Sequence, residues 1–254
     1  MRACDFGALL YFSLVDLEEN FRKVRERIEA ACSRAGRNPA EVTIVAVSKS
    51  QPPEAVRAAA EIGQLVFGEN RVQEAKAKVP LCPERARWHM IGHLQSNKAR
   101  DAVALFSMVQ SVDSLHLAQE LEKWADKQAK TLPVLLEVNI AGESSKFGYK
   151  LEAVLRELPD INELRHLEVH GLMTIAPYAT DAEKVRPVFR KLRELKTECE
   201  QVLGAPLQHL SMGMSGDFEV ALEEGATMVR IGTALFGPRT LARKAAAEAR
   251  ENAE

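Results

Sequence analysis

The chain has 254 residues, 46% of them hydrophobic, and 34 basic against 36 acidic side chains for a formal net charge of −2. That is ample apolar material for a large core, and about 250 residues is a typical length for one α/β barrel. The even charge gives no support to nucleic acid or an anionic membrane as an obligatory partner, and the dispersed cysteines, Cys4, Cys32, Cys82 and Cys199, suit a reducing cytoplasm better than a zinc site or a disulfide framework.

The apolar patch from Phe6 to Val15 is too short to span a bilayer. It lacks the basic start and small-residue cleavage site of a secretory signal. Residues 1–15 therefore read as an N-terminal extension with no assigned role. Phe21, Val24, Ile28, Ala31 and Cys32 then recur at helical spacing, and Gly36 is placed to end a helix over residues 16–36. The short β-branched run Thr43-Ile-Val-Ala-Val-Ser48 reads as a buried strand ending at Lys49, followed by a Pro-initiated helix over 53–63.

The alternation continues down the chain. Strands are expected at 65–67, 88–91, 108–111, 134–139, 167–174, 207–211 and 228–231. The helices after them are expected from 70, from 96, at 114–129, at 151–158, at 181–202, from 217 and from 238. Repeated βα units imply a parallel sheet. Eight of them in this length predict a single (β/α)8 TIM-type barrel over residues 16–254, with an extra N-terminal helix. A Rossmann fold would want a glycine-rich turn after the first strand, and Ser48-Lys-Ser-Gln-Pro52 has no glycine.

In such a barrel the chemistry sits where the strands end. Lys49 ends the first strand, where a neutral amine could attack an aldehyde, although a lone lysine there is more often simply solvated. The last two strands run into Ser211-Met-Gly-Met-Ser-Gly-Asp217 and Arg230-Ile-Gly-Thr233, loops of small and hydroxyl residues that let backbone N–H groups approach a phosphate. Helix capping by Ser215 and Asp217 and tight turning at Gly232 are the plainer readings. Arg230 interrupts an apolar strand and needs an acceptor, either a ligand or a buried carboxylate such as Glu137. Asn70, three residues before Gln73, has the spacing of a capping box, and Asn97 also reads as a cap. His89 and His93 lack a helix-borne ligand spacing, so no metal site is expected. Met173 and Met212 are residue types that favour packing.

Six segments, in order, resemble the pyridoxal phosphate homeostasis protein family: Val45-Ala-Val-Ser-Lys49; Phe67-Gly-Glu-Asn-Arg-Val-Gln-Glu74; Trp88-His-Met-Ile-Gly92 with Leu94-Gln-Ser-Asn-Lys98; His170-Gly-Leu-Met173; Leu210-Ser-Met-Gly-Met-Ser215; and Val229-Arg-Ile-Gly-Thr233. That family is related to the barrel domain of alanine racemase, the fold type III group. The resemblance implies that Lys49 holds pyridoxal 5′-phosphate (PLP) as a Schiff base. It implies phosphate binding by Ser211, Ser215, Gly232 and Thr233, with Met212 in the same cofactor-binding stretch. Arg230 would face the pyridine nitrogen and Asn70 would line the pocket near the ring.

The family is described as buffering or delivering this vitamin B6 cofactor in the cytoplasm and influencing amino-acid and keto-acid balance, without firmly established catalysis. PLP-dependent apo-enzymes are the implied partners, with a monomer or weak dimer as the working form. Alanine racemase carries a further β-rich domain with a tyrosine acid/base. No counterpart is expected in the few residues after Arg239, and neither Tyr11, Tyr149 nor Tyr178 matches that tyrosine. The alternatives are a PLP-dependent amino-acid racemase and an aldolase-like barrel whose lysine forms an imine directly with a sugar phosphate.

Overall fold

The computed structural model describes residues 14–237. Most of the N-terminal extension and the helix expected from residue 238 lie outside the described residues. The first helix, α1 (Leu14–Arg34), starts two residues earlier than its apolar stripe suggests. Leu17, Phe21, Val24, Ile28, Ala31 and Cys32 form its buried face. Beyond its last turn Gly36 takes φ 65°, a left-handed geometry that glycine adopts without steric cost.

The eight strands are β1 (Thr43–Val47), β2 (Val66–Glu69), β3 (Arg87–Met90), β4 (Met108–Val112), β5 (Leu132–Glu137), β6 (Leu167–Met173), β7 (His209–Met214) and β8 (Met228–Ile231). Each pairs with the next, and β8 pairs in parallel with β1 through Thr43↔Met228 to Ala46↔Ile231, so the barrel closes. Between the strands run α2 (Pro53–Glu61), α3 (Val72–Lys78), α4 (Ala99–Leu105), α5 (Leu115–Lys127), α6 (Leu151–Asn162), α7 (Arg186–Leu203) and α8 (Phe218–Glu223), and the short α9 (Thr233–Phe236) follows β8. The expected barrel and its extra helix are present. The main shifts are at β5, which ends two residues early, and β7, which lies further along the chain.

Strand side chains alternate between two separate apolar clusters, as a period of two demands. Val45, Ile91, Met108, Leu135, Met173 and Met228 meet inside the barrel. Ala46, Phe67, Trp88, Val109, Leu136, Leu172, Met212 and Val229 pack outward against the helices. Phe21 of α1 meets Phe236 of α9 edge-on at 6.4 Å, and Arg27 grips Glu219 of α8 through two hydrogen bonds of 3.0 and 2.8 Å. The N-terminal helix thereby covers the outer wall behind the last strand.

Two irregularities shape the end of β7. Its register with β8 steps from Ser211↔Met228 to Met214↔Arg230, three residues against two, so β7 bulges. Gly171 of β6 faces the β7 backbone, and a Cβ placed there would sit 1.9 Å from the His209 carbonyl oxygen. Backbone on both sides leaves no flexible group to yield. Gly171→Ala should therefore cost about 3 kcal/mol or more, read as a lower urea midpoint, by overpacking a place that cannot relax. A wild-type midpoint would show that β6 and β7 separate easily.

Candidate functional site

Val45 and Val47 turn into the barrel, so Lys49, two residues further on, continues the inward row just past the end of β1. It is half-buried. A cavity of about 440 Å³ opens there, within the range of small-ligand pockets. Lys49, Asn70, Ser215, Arg230, Gly232 and Thr233 all line it. Val47, Ile91, Ile175 and Met214 give it an apolar side, and the exposed ring of Tyr178 stands at its rim.

Arg230 lies on β8 two residues beyond Met228, on the lumen side, and is 4% exposed. Its guanidinium donates to Ser211 Oγ at 2.7 Å and to the Thr174 carbonyl at 2.7 Å. The polarity of the next links is fixed by chemistry. Ser211 Oγ accepts from Arg230, so its own hydrogen goes to Gln110 Oε1, at 2.7 Å. The Gln110 amide nitrogen then donates to His89 Nδ1 at 2.8 Å. Burial pushes His89 down to about 4, so the ring is neutral and its Nδ1 can accept. Burial also pulls Arg230 down to about 10, against the attraction of Glu137 and Asp217, and it remains a cation at neutral pH.

Glu137 is also buried and titratable. Burial pushes it up from 4.5 to about 7, although Arg230 pulls the other way. Its Oε2 is buried with no hydrogen-bond partner. The direct Arg230–Glu137 ion pair considered from sequence is not formed. Arg230 instead takes the two neutral oxygens, and Glu137 faces an adjoining cavity of about 250 Å³ that shares Asn70, Ile91 and Ile175 with the first.

Six of the eight sequence-named residues meet on one cavity, and two do not line it. Ser211 is fully buried, and its hydroxyl bonds to Arg230 and Gln110, so it holds the guanidinium in place. The Met212 side chain is fully buried in the outer cluster, which leaves only its backbone for the cavity side. Asn70 is not a helix cap: Arg71 holds the cap position of α3 and makes no side-chain cap bond. Asn97 does not cap either, since Gln95 and Lys98 occupy the two cap positions there. Ser215 Oγ accepts from the Ala234 N–H at 3.3 Å, which ties the two small-residue loops together and keeps its O–H as a donor. Asp217 closes its own turn by accepting the Met214 N–H at 2.6 Å. The helices after these loops, α8 and α9, have six and four residues, so an anion would be met by glycine backbones and hydroxyls more than by helix dipoles. Sequence reasoning missed Gln110. The available signal was the one used for Arg230, a polar residue interrupting an apolar strand.

The chain matches the alanine racemase N-terminal domain family over residues 13–240, and it belongs to that class of barrel. Within the class it belongs to the pyridoxal phosphate homeostasis protein family. It is 47% identical over 223 residues to the pyridoxal phosphate homeostasis protein of Aquifex aeolicus, covering 87% of this chain and 97% of that one. It is 39% identical over 237 residues to the Escherichia coli K12 protein of the same name, covering 90% and 99%. Among solved structures, PipY of Synechococcus elongatus PCC7942 with PLP bound superposes with a TM-score of 0.77 at 37% identity, covering 87% of this chain and all of that one. Alanine racemase of Clostridium difficile 630 shares the fold at TM-score 0.67 and 15% identity, over 88% of this chain and 56% of its own.

The raised Glu137 carries a pH signature. The native carboxyl keeps its proton up to about pH 7, while the unfolded chain releases it near 4.5, so this group makes the native state lose stability as pH rises through that window, by up to about 3 kcal/mol. Glu137→Gln should match wild type below pH 4.5 and exceed it above about pH 7, in urea melts run across the range. Equal stability of the two proteins at the alkaline end would mean that Glu137 is solvated.

Proposed function

We propose that this protein binds PLP in the cavity at the barrel mouth, held covalently as a Schiff base on Lys49, and that it serves intracellular PLP homeostasis by buffering or delivering the cofactor. The observation that carries the reading is the convergence of an inward amine, a buried guanidinium and two glycine–hydroxyl loops on a single cavity. The donor set suits the group. A phosphomonoester carries nearly two negative charges at neutral pH and three acceptor oxygens. Ser215 and Thr233 offer hydroxyl donors, and Gly216 and Gly232 offer backbone that no side chain screens.

Bound PLP supplies an aldehyde that condenses with a primary amine, with loss of water. The chain's own residues would do the rest. Lys49 supplies the amine from the end of β1. Asn70 and Ile91, which line the cavity, would flank the ring. Arg230 would meet the pyridine nitrogen, and because a guanidinium can only donate, it would favour that nitrogen without a proton. Such a ring is a weak electron sink, which fits a carrier better than a catalyst. Ser211 and the Thr174 carbonyl keep the guanidinium in place. PLP-dependent apo-enzymes are the proposed recipients, the cytoplasm the proposed location, and a monomer or weak dimer the proposed form. Among the described residues no helix is long and apolar enough to cross a membrane.

The test is the visible spectrum of the purified protein before and after borohydride, followed by peptide mapping. A yellow protein whose reduced adduct maps to Lys49 is expected, and Lys49→Ala should carry no reducible chromophore. If Lys49→Ala retained a covalently reducible chromophore at full occupancy, another amine would hold the cofactor. Chiral assay of alanine and serine with the loaded protein separates the racemase alternative, and no interconversion is expected.

A further inference from the structure

The segment carrying Lys49 is gripped from the opposite side of the strand, by groups that the cavity does not contain. Lys49 points inward, so the adjacent Ser48 turns outward beneath α3, where it is fully buried. Ser48 Oγ donates to Glu69 Oε1 at 2.7 Å. Lys78, in the last turn of α3, donates to the same Glu69 oxygen at 2.7 Å, to the Ser48 carbonyl at 2.7 Å and to Glu74 Oε1 at 3.1 Å. Glu74 Oε1 also accepts the backbone N–H of Ser50. Both neighbours of Lys49 are thus tied to one ionic cluster, through a hydroxyl, a carbonyl and an amide.

Two features of this cluster exceed what packing requires. Glu69 is wholly buried and Lys78 is 5% exposed, and burying such a pair gives little or no net stability over an apolar pair of the same volume. Ser50 sits at φ 62°, a conformation unfavourable for a residue with a side chain, and such strain persists where the surroundings over-determine it. Ser50 is exposed, so nothing in a core compels that conformation. The backbone around Lys49 is fixed by the Ser48 N–H bond to the Gly68 carbonyl and the Gln51 N–H bond to the Ser48 carbonyl, and to these the cluster adds the Ser50 N–H bond to Glu74 and the Ser48 bonds to Glu69 and Lys78.

We propose that Glu69, Lys78 and Glu74 are positioning residues for Lys49: they set the backbone direction at residues 48–50 so that the lysine side chain enters the cavity aligned with the aldehyde carbon of the cofactor. This rests on the reading of Lys49 as the PLP-bearing amine. Attack by an amine depends steeply on alignment, and a misplacement of about 1 Å can cost about a hundredfold in rate. Glu69, Glu74 and Lys78 do not themselves line the cavity.

The experiment compares wild type with Glu69→Gln, Lys78→Met and Glu74→Ala, after removal of any bound cofactor and addition of PLP. Total bound PLP is read by equilibrium dialysis, the rate of covalent attachment by borohydride trapping with mapping to Lys49, and the fold by thermal melting. Glu69→Gln and Lys78→Met should retain most PLP binding yet attach it at least about tenfold more slowly. Glu74→Ala, at a partly exposed helix position, removes the acceptor of the Ser50 N–H. It should melt close to wild type and still attach PLP more slowly. Rescue by Glu69→Asp of part of the lost rate is expected as well. A wild-type attachment rate in the folded variants would overturn the proposal and leave the cluster as packing only. If either buried variant fails to fold, Glu74→Ala alone decides, and a wild-type rate in it overturns the proposal. If wild type itself yields no Lys49 adduct, the reading beneath the proposal fails and the proposal falls with it, an outcome distinct from the first.

Discussion

A guanidinium cannot shed its charge under ordinary conditions, and this barrel buries one at 4% exposure inside its lumen. Much of the mouth follows from that constraint. Arg230 needs acceptors, and it finds the Ser211 hydroxyl and the Thr174 carbonyl, both neutral. Ser211 must then pass its own hydrogen to Gln110, and Gln110 must find an acceptor in His89. The histidine can accept only if it is neutral, and burial ensures that it is. Four side chains from four strands, β3, β4, β7 and β8, are locked into one orientation by one charge. The chain of bonds runs across the barrel beneath the cavity and gives it a rigid floor.

The same alternation that builds this floor explains why most of the site was legible in sequence. A closed parallel barrel has only two sides, so once Lys49 and Arg230 are placed at strand positions, their direction follows from parity with Val45 and Met228. The loops after β7 and β8 were legible because glycine and hydroxyl residues cluster there without any packing need. What parity cannot give is the bulge. The extra residue in β7 changes which of residues 211–215 reaches the mouth, and it puts Ser215 on the cavity while Ser211 stays below it. That is why Ser211 and Met212, named as cofactor-binding on the family resemblance, do not line the cavity. The capping roles suggested for Asn70 and Asn97 failed for a related reason. Short irregular stretches link those strands to their helices, and spacing rules assume a helix that starts at once.

The outer side of β1 was illegible for a different reason. Glu69 and Glu74 belong to a recognisable segment, but Lys78 lies at the end of α3, where a basic residue ordinarily means a solvated helix terminus. Nothing local marks it as buried. Its burial comes from α3 being short and laid across the end of β2, so that the helix end meets Ser48 instead of water.

The two buried cations among the described residues, Lys78 and Arg230, are treated in opposite ways, and the contrast bears on what the cavity can receive. Lys78 is neutralised where it stands, with the Glu69 carboxylate at 2.7 Å and Glu74 at 3.1 Å. Arg230 has no carboxylate in contact. Its neighbour Glu137 is held up to about 7 and so carries only part of its charge at neutral pH. The positive charge at the bottom of the mouth is therefore only partly answered by the protein itself. A ring nitrogen with a lone pair would give that guanidinium a further acceptor, and a double negative charge at the neighbouring loops would add an attraction at longer range. Outside β1 the ammonium has two carboxyl groups in direct contact, and in the lumen the guanidinium has only neutral oxygens.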